Sequence, residues 1–195
     1  TPSDDGPDND GDGMCDIGDV DLVLHTGANA ISFYALPSGG DYGISNIFGD
    51  DGNVAKVFAE GTIALYNSAI ESWVGALTDV DATDGYWAIL NDAANLEVSG
   101  LPTGAVEYAV HTGNNFLSYS NSEGQSLDGG LPDEATANTL YIYGEGVFAT
   151  QVDGAWQGSL NGLGFESGHG YWFGATYNFV FQYNDPSDEL GRFIA

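Results

Sequence analysis

Positive charge is almost missing from this sequence. Its 195 residues include one lysine, Lys56, and one arginine, Arg192, against 29 aspartates and glutamates, a formal net charge of −27. A chain this acidic repels phosphate backbones and anionic lipid surfaces, which argues against nucleic acid and charged membranes as partners. It also repels itself, so screening by divalent cations is expected on electrostatic grounds alone. Cysteine is nearly as scarce. Cys15 is the single one and has no partner for an internal disulfide. In a secreted protein an odd cysteine points to pairing between chains or with a missing segment, or else stays a free thiol without a role. No apolar run reaches the length that spans a bilayer, and no Asn-x-Ser/Thr sequon is present. The sequence starts at Thr1 with no visible leader, as expected of a processed mature chain or a segment cut at a domain boundary.

The usual signatures of chemistry are missing too. Gly-x-Ser-x-Gly does not occur. Glycine-rich stretches such as Gly144-Glu145-Gly146 lack the lysine and the strand-to-helix context of a phosphate loop. What is present is a repeat, and self-similarity governs the rest of the interpretation. Leu24-His25-Thr26-Gly27-Ala28-Asn29-Ala30-Ile31-Ser32-Phe33 returns as Val110-His111-Thr112-Gly113-Asn114-Asn115-Phe116-Leu117-Ser118-Tyr119. Glu60-Gly61 returns as Glu145-Gly146, Trp73-x-Gly75-x-Leu77 as Trp156-x-Gly158-x-Leu160, and Gly85-Tyr86-Trp87 as Gly170-Tyr171-Trp172. The blocks keep their order and the offset stays between 83 and 86, which chance similarity would not do. The sequence reads as a duplication.

Each copy carries strand signals. Ile31–Tyr34, Val54–Phe58, Trp87–Leu90 and Leu140–Tyr143 are short and rich in β-branched or aromatic residues. Gly, Asn, Asp and Ser clusters separate them. No helical period is sustained, though a short helix or turn fits Ile44–Phe48 or Pro132–Asn138. The expected fold is all-β: two tandem, homologous β-sandwich or barrel-like domains behind an aspartate-rich segment. The segments are 1–21, then copy one over 22–104, copy two over 105–184, and a tail over 185–195. The tail turns apolar from Leu190 to Ala195, so it either frays or adds to a neighbour's sheet edge.

The four tryptophans fall at matching positions of the two copies, as core anchors or, alternatively, as a platform for stacking sugars. His25 and His111 share one repeat position, which suits a hydrogen-bonding role at a strand end better than a metal or catalytic one. His169 stands alone where copy one has Asp84. Glu60 and Glu145 are again one position in two copies, unlike the paired carboxylates of a glycosidase. By alternation Lys56 shares a face with Val54 and Phe58, as a snorkelling surface lysine or as half of an isopeptide crosslink.

The sharpest motif is Asp8-Asn9-Asp10-Gly11-Asp12-Gly13-Met14-Cys15-Asp16-Ile17-Gly18-Asp19. Alternating carboxylates at Asp8, Asp10 and Asp12 project toward one centre, and Gly13 permits the turn that brings Asp16 and Asp19 to the same ion. Met14 contributes its backbone carbonyl. An all-oxygen donor set suits Ca2+. The run resembles the calcium loops of thrombospondin type 3 repeats, Asp-x-Asp-x-Asp-Gly-x-x-Asp-x-x-Asp, in which a neighbouring cysteine often pairs with another repeat; Cys15 has no such partner here. The duplicated part resembles repeats of large secreted surface proteins of environmental bacteria. That likeness implies an extracellular location and a scaffold or adhesive role, and no catalytic residue. The expectation is a non-enzymatic structural subunit of a secreted, calcium-binding filament or surface layer. It would associate head to tail with itself or with other surface proteins. The alternative is a carbohydrate-binding or adhesive module of a larger surface protein.

Overall fold

The structure, a computed structural model, describes residues 19–187. It is mostly β-sheet, 48% strand and 13% helix, as the alternating apolar pattern requires. The first half of the chain contributes β1 (Asp19–Leu24), β2 (Gly27–Ile31), β3 (Ala35–Leu36), α1 (Ile44–Phe48), β4 (Val54–Ala59), β5 (Thr62–Asn67), β6 (Ser72–Gly75), β7 (Tyr86–Leu90), β8 (Ala94–Ser99) and β9 (Leu101–Pro102). The second contributes β10 (Tyr108–Val110), β11 (Gly113–Ser118), α2 (Leu127–Gly130), α3 (Asp133–Asn138), β12 (Thr139–Gly144), β13 (Val147–Val152), β14 (Ala155–Gln157), α4 (Ser159–Leu163), β15 (Gly170–Ala175) and β16 (Phe179–Phe181).

Each half carries a five-stranded antiparallel sheet, ordered β2-β7-β4-β5-β6 in the first and β11-β15-β12-β13-β14 in the second. Two-stranded ribbons complete them: β1-β8 and β3-β9 in the first half, β10-β16 in the second. The sheets are open and close into no barrel. Among the described residues, two separate hydrophobic clusters form the core. One is built around Phe33, Val57 and Tyr86, the other around Tyr119, Phe165 and Phe173.

Local chemistry explains the repeated glycines. A Cβ on Gly75 (φ +140) would lie 2.2 Å from the Ile63 carbonyl oxygen, and one on Gly158 (φ +127) 2.4 Å from that of Phe148. Glycine is therefore the residue that lets the chain turn off the sheet edge after each Trp-x-Gly. A β-bulge interrupts β4 between Val54 and Lys56, and another interrupts β12 between Thr139 and Tyr141. The bulge corrects the sequence expectation for Lys56. Val54 turns to the buried face with Val57 and Ala59, while Lys56 is exposed on the opposite face with Phe58. The strand expected at Ile31–Tyr34 lies earlier, at Gly27–Ile31, because Ser32 leaves its own sheet to bond across to Gly168. Helix α1 falls where expected.

Candidate functional site

The calcium-loop residues Asp8, Asp10, Asp12, Met14 and Asp16 lie outside the described residues, as do Cys15 and the tail from 188. Asp19, the last candidate ligand, opens β1. Its backbone carbonyl accepts a hydrogen bond from the Tyr34 hydroxyl at 2.6 Å. Among the described residues no group of three or more His, Cys, Asp or Glu side chains converges as a metal site.

What the structure does bring together is the set of repeated polar residues, at the seam between the two halves. The turns Glu60-Gly61 and Glu145-Gly146 connect β4 to β5 and β12 to β13, so each glutamate sits at a hairpin tip. Each tip reaches the other half. Glu145 accepts from His25 Nε2 at 2.5 Å and from the Ala30 backbone N–H at 2.9 Å. Glu60 accepts from His111 Nε2 at 2.6 Å and from the Phe116 N–H at 3.1 Å. Ala30 and Phe116 belong to β2 and β11, edge strands whose inward edges would otherwise hold unpaired backbone donors. The clamp is reciprocal.

Both ring nitrogens of each histidine face an acceptor. Nδ1 of His25 lies 2.8 Å from the Thr26 carbonyl, and Nδ1 of His111 lies 2.9 Å from that of Thr112. A neutral imidazole carries a single N–H, so this geometry favours the doubly protonated ring. The histidine pKa values accordingly stand above the ordinary 6.5, first through the threonine carbonyl and then through the glutamate. Asn29 and Asn115 hold the histidine backbones. Each side-chain oxygen accepts from the histidine N–H at 2.9 Å, and each side-chain amide donates to the histidine carbonyl at 2.8 Å.

The Gly-Tyr-Trp motifs meet at the same seam. A Cβ on Gly170 would lie 2.7 Å from the Ile31 carbonyl oxygen and 3.1 Å from Gly85 Cα. A Cβ on Gly85 would lie 2.9 Å from the Leu117 carbonyl oxygen. The two strands therefore pass backbone to backbone. Short bridges extend the contact, with the Ser32 N–H on the Gly168 carbonyl at 2.8 Å and the Ser118 N–H on that of Thr83 at 3.0 Å. The tyrosines anchor the turns five residues upstream: the Tyr86 hydroxyl accepts from the Asp81 N–H at 2.6 Å and that of Tyr171 from the Glu166 N–H at 2.8 Å. Burial pushes both phenols well above their ordinary pKa. Asp84, beside the crossing, is held above the usual carboxylate range by burial and then by Asp81.

Trp87 and Trp172 both stack on Phe116, at ring-centroid distances of 6.0 and 4.7 Å. Both indoles are half-buried. Trp156 is buried, while the half-buried Trp73 donates its Nε1 to the Gly49 carbonyl at 2.8 Å. A cleft of about 430 Å³ opens beside the first clamp, lined by His25, Asn29, Glu145, Ser167 and His169 among others. Sequence reasoning placed the histidines at strand ends but missed their glutamate partners. The signal was there: the two residue types recur together, once in each half.

Against known proteins, no family model matches the chain, and no curated protein or solved structure does either.

Proposed function

We propose that this protein is a non-enzymatic structural subunit of a secreted, calcium-binding extracellular assembly, built from two copies of one β unit that clamp each other. The observation that carries this reading is the fate of the repeated polar residues. Histidine, glutamate and glycine at the shared positions are engaged in joining the halves, and the shared asparagines hold the histidines in place within each half. A body fixed this way is suited to bearing load and transmitting contacts. The matching strand orders and bulges of the two sheets support the duplication. The acidic loop would hold Ca2+ through the carboxylates of Asp8, Asp10, Asp12, Asp16 and Asp19 and the carbonyl of Met14, a donor set of hard oxygens. Bound calcium would also offset part of the −27 charge that keeps copies apart. The sugar-stacking alternative has less support, because one face of each seam tryptophan packs on Phe116.

Electron microscopy of the purified chain tests the proposal. Ordered polymers in calcium that loosen on chelation are expected, and monomers under both conditions would sink it. Calorimetric titration with Ca2+ checks the loop, since Asp10→Ala with Asp12→Ala should abolish the binding heat.

A further inference from the structure

The seam has the form of a two-fold contact made inside one chain. Glu60 meets His111 and the Phe116 N–H, while Glu145, at the same repeat position, meets His25 and the Ala30 N–H. The bridges obey the same rule, Asp84 with Leu117 and His169 with Ile31. So do the glycines, with Gly85 against the Leu117 carbonyl and Gly170 against that of Ile31. Each of these contacts therefore occurs twice, with the two halves exchanging roles. A surface built on that rule is self-complementary, as isologous subunit interfaces are. Nor does the seam hold up either core. The two apolar clusters share no residue, and the clamp histidines are 60% and 55% exposed, so their polar groups return to water when the seam opens. Residues 103–107 alone connect β9 of the first half to β10 of the second. Within them Gly104, at φ +70 in open space, can change its backbone angles without a clash.

We propose that the seam is exchangeable: the second half of another copy replaces the chain's own second half on the first, so that copies join by trading halves. The occupant is already visible, because the chain's own second half sits on this surface, and every other copy presents the same residues. The tethered half has one advantage, an effective concentration on the order of millimolar for a short linker. Copies packed at comparable density, as in a filament or surface layer, overcome it. Repulsion between acidic copies opposes their approach until cations screen it. When each copy passes its second half to the next, the contact runs head to tail and propagates as an open polymer. The inference rests on the structural-subunit proposal and specifies its contact.

Two full-length variants test it, both in a Cys15→Ser background. One carries His25→Glu with His111→Glu, the other Glu60→Lys with Glu145→Lys. Within either chain both clamps lose their pairing, since Glu faces Glu in the first and Lys faces His in the second. Across a mixed pair, Glu faces Lys or His at every clamp. The variants are unfolded, mixed in equal amounts and refolded together, and native mass spectrometry counts the products. Mixed complexes are expected to exceed complexes of either variant alone by at least tenfold; monomers, or association without that preference, would overturn the exchange. A seam lock checks the unsubstituted clamps. Ile31→Cys with His169→Cys joins two bridge partners within disulfide reach, again with Cys15→Ser. Oxidised as a monomer, this chain should lose the calcium-dependent polymers that its reduced form makes. Polymers from the locked chain would overturn the exchange while leaving the structural-subunit proposal standing. No polymers from either form, together with no mixed complexes, would overturn both.

Discussion

At the scale of single residues, the seam glutamates have the clearest consequences. Replacing Glu60 or Glu145 with Ala strands one backbone N–H on an edge strand and one histidine nitrogen. An unsatisfied, partly buried donor costs about 1–3 kcal/mol, so each variant should lose stability in that range by chemical denaturation. Glu97→Ala, on an exposed strand position, should change stability by less than about 0.5 kcal/mol. Should all variants prove equally stable, the clamp contributes nothing. The histidines give a pH signature. Their pKa values are raised in the folded state, so the stability they contribute is complete below the unfolded value near 6.5. It is lost as pH rises through the higher folded value. Histidine NMR titration should place both midpoints above 6.5, and His25→Gln should flatten the dependence of stability on pH above that value. Midpoints at or below 6.5 would contradict the doubly hydrogen-bonded ring.

At the scale of elements, the glycines decide where the sheets end and how they cross. Gly75→Ala meets both a left-handed backbone and a carbonyl oxygen at 2.2 Å, and should cost at least about 2 kcal/mol. Gly104→Ala has a positive φ of +70 but open space around it, and should cost nearer to about 1 kcal/mol. Thermal melts of the two variants check this order, and equal costs would remove the close approach as the reason for Gly75. Much at this scale was legible from sequence. The strands around Val54–Phe58, Trp87–Leu90 and Leu140–Tyr143 and the helix at Ile44–Phe48 lie where apolar patterning and turn residues put them. The bulge beside Lys56 was not legible, because alternation counts residues and a bulge adds one to the count. The displaced strand at Gly27–Ile31 escaped for another reason. Phe33 packs in the core of its own half, but the backbone and hydroxyl partners of Ser32 lie in the other half and end the strand.

At the scale of the whole molecule, charge dominates. With −27 spread over 195 residues, the folded body should melt higher as sodium chloride rises from low to moderate concentration, because screening relieves repulsion within it. Calcium should raise the melting temperature beyond what equal ionic strength achieves, and substituting Asp10 and Asp12 with Ala should remove that excess. A salt-independent melt would mean that the charges are already compensated.

The sequence by itself determined that the chain is β-rich, that two stretches share one pattern, and that an aspartate-rich segment precedes them, because these follow from residue type and spacing. It could not say what the shared residues are for. His25, Glu145 and Gly170 are far apart in the chain, and each is unremarkable alone. Only the tertiary structure, by crossing two strands at Gly85 and Gly170 and aiming each hairpin tip at the opposite edge, gave them one role. That decision depends on contacts between the halves, which no local pattern encodes.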